Sequence, residues 1–303
     1  MTATTVEPTV ATPPPAPHRH TNRRRKRTIL AVVVGMAVLI VFALIFLYPF
    51  VIQVAGSFKS QPDAAAHPLS PIPRPPTVGS SFDKLFNGST DFPLWTFNSV
   101  VVTLFVTGGR LLLDSLAGYA LARLRFPGRG ALFAGVIAVM AVPGVVLMIP
   151  KFLVLNQLGI YDTYGAMILP LLADAGGVFI MKQFFQTIPT SIEEAARIDG
   201  AGTFRLYWSV VLPMARPALI TLTILAFQGS WNELTNMLVA VQSPNLYTLP
   251  RGLADLVSGS LGSGTQYPLK LSAALLATIP VGIVFIVFQR YFVRGANEGS
   301  VKG

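Results

Sequence analysis

An apolar run of 24 residues without a single charge, from Ile29 to Ile52, constrains this chain more than any other feature. A membrane-spanning helix needs about 20 such residues, whereas the apolar core of a cleaved signal peptide has only about 7 to 15. The run therefore predicts an uncleaved first membrane span. The composition agrees, because 12% of the 303 residues are charged, against about 25% in soluble domains.

Hydropathy predicts five further spans, each long enough to cross a bilayer. They lie at about 97–121, 131–152, 164–184, 212–238 and 271–291. The predicted fold is all-α and integral to the membrane, with a disordered basic tail at 1–28, a six-helix domain at 29–295 and a short tail at 296–303. Four of the five later spans contain charges or prolines, which lipid-facing helices avoid, so we expect them to surround a protein-lined interior.

The basic residues of the connecting segments predict the orientation, because Lys and Arg accumulate on the cytoplasmic side. With the N-terminus inside, 16 Lys and Arg residues lie on the inner side and six on the outer side. The sequence therefore predicts cytoplasmic N- and C-termini. The net charge of +10 is then spread over loops on one side of a membrane, which argues against a nucleic-acid partner.

Several kinds of chemistry are excluded by missing residues. The chain has no cysteine, so disulfides, Cys-ligated metals and thiol catalysis are excluded. No Gly-x-x-x-x-Gly-Lys-Ser/Thr pattern occurs, so any nucleotide hydrolysis must belong to a partner. No metal-ligand cluster and no pair of nucleophile and base is apparent, which ranks a membrane-embedded enzyme last among the candidate functions.

The predicted inner segment at 189–213 is unusually polar for a loop between two spans. Ser191 is a plausible helix N-cap, Glu193 and Glu194 fall in the first turn, and Gly200 or Gly202 could end the helix. The pattern predicts a helix of about two turns, followed by a second short amphipathic piece. By itself it fits a structured loop on the chain's own bundle as well as a docking element.

The spacing within this segment resembles the EAA signature of permease subunits in ATP-binding-cassette importers. The matching residues are Glu194-Ala195-Ala196, Gly200, Val210 and Leu212-Pro213. The one departure is Val210, where the family usually has Ile.

Other strings resemble the carbohydrate-uptake permeases of the maltose-transporter type, in particular the shorter, six-span partner of each permease pair. They are Asn98-Ser99, the segment from Ser115 to Arg123, Phe184-Phe185, Ile188-Pro189, Ile198-Asp199-Gly200-Ala201 and Trp231-Asn232-Glu233. The similarity runs from about Tyr48 to Phe292, and it implies the type I importer permease fold.

The resemblance implies a function and a set of partners. The segment at 191–208 would be the coupling helix, seated in a cleft of a cytoplasmic ATPase, and the chain would form half of a translocation path for a sugar. The residues assigned to this coupling are Glu194, Ala195, Ala196, Asp199, Gly200, Leu212 and Pro213. The expected partners are a second homologous permease, two copies of the ATPase, an extracytoplasmic solute-binding protein, the sugar and membrane lipid. No cofactor is expected on this chain, since the ATPase would bind ATP and Mg²⁺, and the expected location is the bacterial cytoplasmic membrane.

Two groups of polar residues inside the predicted spans are candidates for structure or transport. Arg110 and Asp114 are four residues apart on one helix face, and a structural ion pair is favoured over a transport role. Trp231, Asn232 and Glu233 combine an aromatic face with hydrogen-bonding groups, as a sugar pathway does, but Trp231 could equally anchor its helix.

Two predicted outer segments fit docking surfaces and plain loops equally well. They are the proline-rich connection at 55–95 and the loop at 241–270, which contains a Gly/Ser tract at 259–264 and resembles the family loop that reaches the binding protein. The main alternative function is a secondary transporter driven by an ion gradient. It would use Asp114, Asp174 or Glu233 as ion sites and would predict an internal repeat, which is not evident.

Overall fold

A computed structural model describes the backbone of residues 21–77, 79–88, 90–259 and 266–300. Within these ranges it describes side chains from residue 29 to residue 289. All regular secondary structure in the described ranges is helical, which confirms the all-α prediction. The α-helices there are α1 Thr21–Ser57, α2 Gln61–Ala66, α3 Ser80–Asn87, α4 Phe92–Arg123, α5 Arg129–Met140, α6 Met148–Gln157, α7 Tyr164–Ile168, α8 Ala175–Thr187, α9 Thr190–Ile198, α10 Thr203–Leu206, α11 Leu212–Met214, α12 Arg216–Trp231, α13 Thr235–Ala240, α14 Leu249–Ser258 and α15 Tyr267–Ser300.

Four segments of the described chain are long and apolar enough to cross a membrane: Ile29–Ser57, Phe92–Arg123, Tyr164–Thr187 and Tyr267–Gln289. Two further segments are bent pairs, and counting each pair as one span gives the predicted six. Helix α5 meets the segment 144–157, which ends with α6, at 99°, and the segment 203–214 meets α12 at 80°. The predicted third span, at 131–152, and the predicted fifth span, at 212–238, therefore each contain a bend. Pro143 lies in the first bend, where its missing N–H and fixed φ stop the helix.

Residues 1–52 and 53–303 form two compact units. In the first unit, α1 begins at Thr21, eight residues before the predicted span. Residues 1–20 of the predicted disordered tail lie outside the described residues. Residues 21–28 are helical, so the prediction of disorder is wrong for them. From residue 29 to residue 50 the side chains of α1 are exposed. A helix that is apolar all round suits lipid on every face.

The second unit has two apolar cores. One contains Tyr119, Phe185 and Tyr207 and lies where α4 and α8 meet the segment that follows α9. Gly118 permits this packing, because a Cβ there would lie 2.7 Å from that of Met181. The other core surrounds Trp95 at the opposite end of α4. The two cores thus lie towards opposite ends of α4, and the 189–213 loop packs on the core around Tyr207.

The proline-rich connection after α1 is folded. Lys59 is buried, and its Nζ donates a hydrogen bond of 2.6 Å to the His67 carbonyl. The Asp63 carboxylate accepts the backbone N–H of Arg74 at 2.9 Å, and this hydrogen bond is the largest influence holding the pKa of Asp63 below 3.8. Side-chain contacts thus brace the connection, so a plain flexible spacer does not describe it.

Candidate functional site

The signature segment forms α9, nine residues long, directly after Pro189. Glu193 in the first turn and Arg197 in the last turn each have the charge that stabilises their end of the helix dipole. The predicted short helix is present, but Ser191 is not its N-cap. The helix begins at Thr190, so Ser191 lies inside the first turn, and the cap residue is Pro189.

The faces of α9 divide the signature residues into two groups. Ile192 and Ala196, four positions apart, are half-buried against the core around Tyr207. Glu194 and Ala195 face away and are exposed. The two alanines therefore differ in role: Ala196 seats the helix on its own bundle, and Ala195 is available to a partner.

Gly200 ends the helix with a left-handed backbone of φ +81°. The C-cap residue Asp199 is exposed, and the N–H of Ala201 closes the turn by donating to the Ala196 carbonyl at 2.9 Å. A Cβ at Gly200 would meet nothing within 4 Å. The requirement for glycine within this chain is therefore the backbone angle, which L residues adopt at a cost.

A buried arginine fastens α9 to the bundle. Arg123, the last residue of α4, lies 3.0 Å from Glu193 in an ion pair whose side chains are 9% and 8% exposed. Its guanidinium also donates hydrogen bonds to the carbonyls of Phe185 and Ile188 at the end of α8. One side chain thus joins α4, α8 and α9. Sequence reasoning missed this role, although Arg123 lies inside a recognised string and Glu193 directly precedes the signature.

Two large apolar side chains project from the end of α9 and from α10. Ile198 is 86% exposed and Phe204 is 72% exposed. Next to them is a cavity of about 580 Å³, most of whose lining residues are arginines and glutamates. Its lining residues are Ala122, Arg123, Leu124, Arg125, Arg129, Thr190, Glu193, Glu194, Arg197 and Thr203. Sequence analysis did not single out Ile198 or Phe204 as contact residues, and their apolar character in a polar loop was the available signal.

Leu212 and Pro213 lie one turn before the fifth span. A π-helical turn at Tyr207–Val211 leads into the three-residue α11, and α12 starts at Arg216 after the 80° bend. Pro213 falls in the first turn of α11, where no helical partner for its nitrogen is required. The predicted start of the span at Leu212 is thus four residues early.

Arg110 and Asp114 bind the backbone of another helix. Arg110 Nε donates to the Leu171 carbonyl at 2.8 Å, and Asp114 Oδ1 accepts the N–H of Asp174 at 2.9 Å. Within the described ranges, the ion pairs with an N–O distance up to 4.0 Å do not include these two residues. The predicted direct ion pair is corrected accordingly: both side chains reach the break between α7 and α8, whose free backbone groups attract them.

Trp231 is an anchor in this structure. It is 3% exposed, stacks on Phe227 with 5.8 Å between ring centroids, and donates from Nε1 to the Ala277 carbonyl at 3.1 Å. Asn232 is exposed, and the Glu233 carboxylate accepts the N–H of Asn236 at 2.7 Å. The expected sugar-stacking face of Trp231 is therefore occupied by protein, and Asn232 alone of the three is open.

The recognised pair Asn98-Ser99 fixes the predicted outer loop. Asn98 Nδ2 donates to the carbonyls of Asn245 and Tyr247 at 3.0 and 2.9 Å, and Ser99 Oγ accepts the N–H of Leu249 at 2.7 Å. These bonds hold both sides of Tyr247 against the start of α4. Most of the Gly/Ser tract that follows, at 260–264, lies outside the described residues.

Asp162 ties the segment before α7 to the same loop. It accepts the N–H groups of Gln242 and Ser243 at 2.9 Å each and the Ser243 hydroxyl. The Ser243 hydroxyl is the first cause of a pKa of Asp162 below the ordinary 3.8. The predicted outer loop is thus held by two sets of hydrogen bonds, none of them apparent from the sequence.

Comparisons with known proteins agree with this geometry. Residues 114–298 match the family described as "Binding-protein-dependent transport system inner membrane component". The chain belongs to this family. The predicted permease is confirmed, because the match covers more than half of the chain, including α9 and the Leu212-Pro213 pair.

Individual relatives extend the similarity to nearly the whole chain. The arabinooligosaccharides transport system permease protein AraQ of Bacillus subtilis is 34% identical over 264 residues, covering 86% of this chain and 92% of the relative. The sn-glycerol-3-phosphate transport system permease protein UgpE of Yersinia pestis is 31% identical over 267 residues, covering 86% and 94%. A chain of a bacterial ABC transporter involved in importing the acidic polysaccharide alginate superposes with a TM-score of 0.73 at 26% identity, covering 91% of this permease and all of that chain. The permease therefore has the importer fold that the signature implied.

Proposed function

We propose that this permease forms half of a translocation path for a sugar or a related compound in the bacterial cytoplasmic membrane. ATP hydrolysis takes place on a separate subunit. The observation that carries the proposal is the construction of α9, which Arg123 and Glu193 fasten to two spans. Ile198 at its end and Phe204 of the neighbouring α10 are exposed. An anchored helix with exposed apolar side chains suits a partner that pushes on it.

The coupling follows from these attachments. The ATPase cleft holds the outer face of α9 and the turn at Gly200. Closure of the ATPase dimer displaces α9, and the buried Arg123 passes the displacement to the ends of α4 and α8. Well-packed helices move as rigid bodies, so the spans rock between inward-open and outward-open states. ATP and Mg²⁺ are bound by the partner, and this chain supplies the lever.

The remaining partners are a second homologous permease, two ATPase copies and an extracytoplasmic solute-binding protein. The pinned loop around Tyr247 is the surface that faces the binding protein, because Asn98 and Asp162 hold it in a fixed position. Arabinooligosaccharides and glycerol 3-phosphate appear in the names of relatives. They support a sugar or polyol derivative as cargo.

The ion-gradient alternative requires carboxylates that are free to bind an ion. Asp114 accepts the N–H of Asp174, Asp174 accepts that of Gly177, and Glu233 accepts that of Asn236. Each carboxylate thus accepts a backbone amide beside a helix break. Because these hydrogen bonds give each carboxylate a structural role, they favour the importer over the secondary transporter.

Co-purification from the native membrane tests the proposal. Ile198→Asp places a charge in the proposed ATPase contact without disturbing the buried core, since Ile198 is exposed. Ile72→Asp is the matched control, because Ile72 is also exposed and lies in the connection predicted to face outward. We expect an ATPase and a second permease to co-purify with the unaltered chain and with the control, and the ATPase alone to be lost from Ile198→Asp. Isolation of the unaltered chain without any ATPase would contradict the proposal.

A further inference from the structure

The fourth span is broken in a place that leaves backbone groups without helical partners. Its first half, α7 and a 3-10 turn at Leu169–Leu171, ends before α8 starts at Ala175. The end of one helix has free carbonyls and the start of the next has free amides. Within a membrane no bulk water satisfies them, so the protein must supply the partners.

Helix α4 supplies a partner to each side of the break. The guanidinium of Arg110 binds the Leu171 carbonyl, and the carboxylate of Asp114 binds the Asp174 amide. Carbonyl ends of helices carry partial negative charge and amide ends partial positive charge. The cation and the anion are therefore each placed at the end of the broken span that attracts it.

The packing around Asp114 fits this placement. Asp114 is fully buried, and a Cβ at Gly177 would overlap its carboxylate and approach Leu222 Cδ1 at 2.9 Å. The Asp174 side chain in turn accepts the N–H of Gly177 at 3.0 Å. A glycine in the first turn of α8 thus leaves room for the carboxylate that stabilises this helix start.

The break separates two halves of the span that have different attachments. The α7 half is attached to α13 and to the start of α4. Asn236 donates to the Ala166 and Met167 carbonyls, and the Tyr164 hydroxyl donates to Asn98. The α8 half leads through Ile188 into α9. The break is therefore the joint between the loop side of the permease and the coupling helix.

We propose that Arg110 and Asp114 form a charge clamp that holds the two halves of the fourth span in one fixed arrangement across the break, and that transport depends on this arrangement. They are positioning residues, since they act through the backbone of the broken span. The arrangement itself is independent of the proposed function, whereas its effect on transport rests on that function.

A charge swap separates the clamp from a direct ion pair. In Arg110→Asp with Asp114→Arg, a direct pair would be restored. The clamp would instead present an anion to the Leu171 carbonyl and a cation to the Asp174 amide, and it would fail. Arg110→Lys and Asp114→Asn are the conservative variants: the lysine still donates with a positive charge, and the asparagine keeps an oxygen that can accept the N–H of Asp174.

The arrangement of the two halves can be measured by spin-label distances in the assembled transporter. Leu169→Cys and Gln183→Cys lie on either side of the break, both are exposed, and the natural chain has no other cysteine. An unbroken helix would separate these positions by about 21 Å. We expect one narrow distance distribution for the unaltered clamp and for both conservative variants, and a broadened or shifted one for the swap and for Asp114→Ala. Uptake should fall about tenfold or more in the latter two, as for a buried polar group left without its partner.

Restoration of both the distance and the uptake by the swap would overturn the clamp in favour of the direct pair. An unchanged distance distribution in Asp114→Ala would also overturn it. If the swapped chain does not accumulate, the comparison of Asp114→Asn with Asp114→Ala decides: equal distances and equal uptake would refute the clamp. A changed distance distribution with unchanged uptake would refute the dependence of transport on the arrangement of the two halves.

Discussion

Replacement of Arg123 by alanine should uncouple α9 from the bundle more severely than any change to its ionic partner. Arg123 serves three acceptors, the Glu193 carboxylate and the carbonyls of Phe185 and Ile188. Arg123→Ala removes all three contacts and leaves a buried carboxylate without a counter-charge. Removing one member of a buried ion pair costs about 3 to 5 kcal/mol. Glu193→Gln keeps a polar group beside Arg123, whose two carbonyl bonds remain, so it should cost about 1 kcal/mol.

The assay is thermal unfolding of the purified complex in detergent, combined with ATP-dependent uptake in proteoliposomes. Arg125→Ala is the matched control, because Arg125 is exposed and lines the same cavity, and surface substitutions usually change stability by less than about 0.5 kcal/mol. Arg123→Ala should lower the unfolding temperature and reduce sugar transported per ATP hydrolysed. Equal effects of Arg123→Ala and Arg125→Ala, or a larger effect of Glu193→Gln, would refute the reasoning.

Three further predictions concern Trp231, Asp162 and Gly200. Trp231→Phe should destabilise by about 1 kcal/mol through loss of the bond to the Ala277 carbonyl, and competition uptake should show an unchanged substrate preference. The pKa of Asp162 is depressed, so its stabilisation of the loop at Ser243 is present above about pH 4 and is lost as the pH falls through the folded pKa. In hydrogen-exchange measurements at about pH 5, the Ser243 amide should be protected in the unaltered chain and unprotected in Asp162→Ala. Gly200→Ala should reduce ATPase co-purification more than Gly200→Asn, since asparagine tolerates φ +81° better.

Features with a linear signal were predictable from the sequence. Apolar runs predicted the spans, and Ser191 with the following glutamates and Gly200 or Gly202 predicted a short helix. The structure places this helix at Thr190–Ile198, with Pro189 as its cap residue. The spacing of Arg110 and Asp114 on one face of α4 predicts a structural role for both side chains. Their hydrogen bonds to the backbone of the broken span are structural contacts of this kind. Periodicity reports only neighbours on the same helix, however, and so it suggested the wrong partners for both.

Long-range polar contacts left no such signal. The bonds of Asn98 to the loop around Tyr247 join residues 149 positions apart, and the fastening of α9 by Arg123 depends on where three helices end. Bends were also hidden, because hydropathy averages over a window and does not register a break such as that at Pro143. Burial decided the role of Trp231, which composition left open between an anchor and a stacking surface.

The most direct test of the account is uptake by the permease reconstituted in proteoliposomes with its co-purified subunits and binding protein. The account predicts uptake that requires ATP on the side of α9 and persists after ionophores collapse all ion gradients. Uptake by this chain alone, without ATP and abolished by the same ionophores, would contradict it.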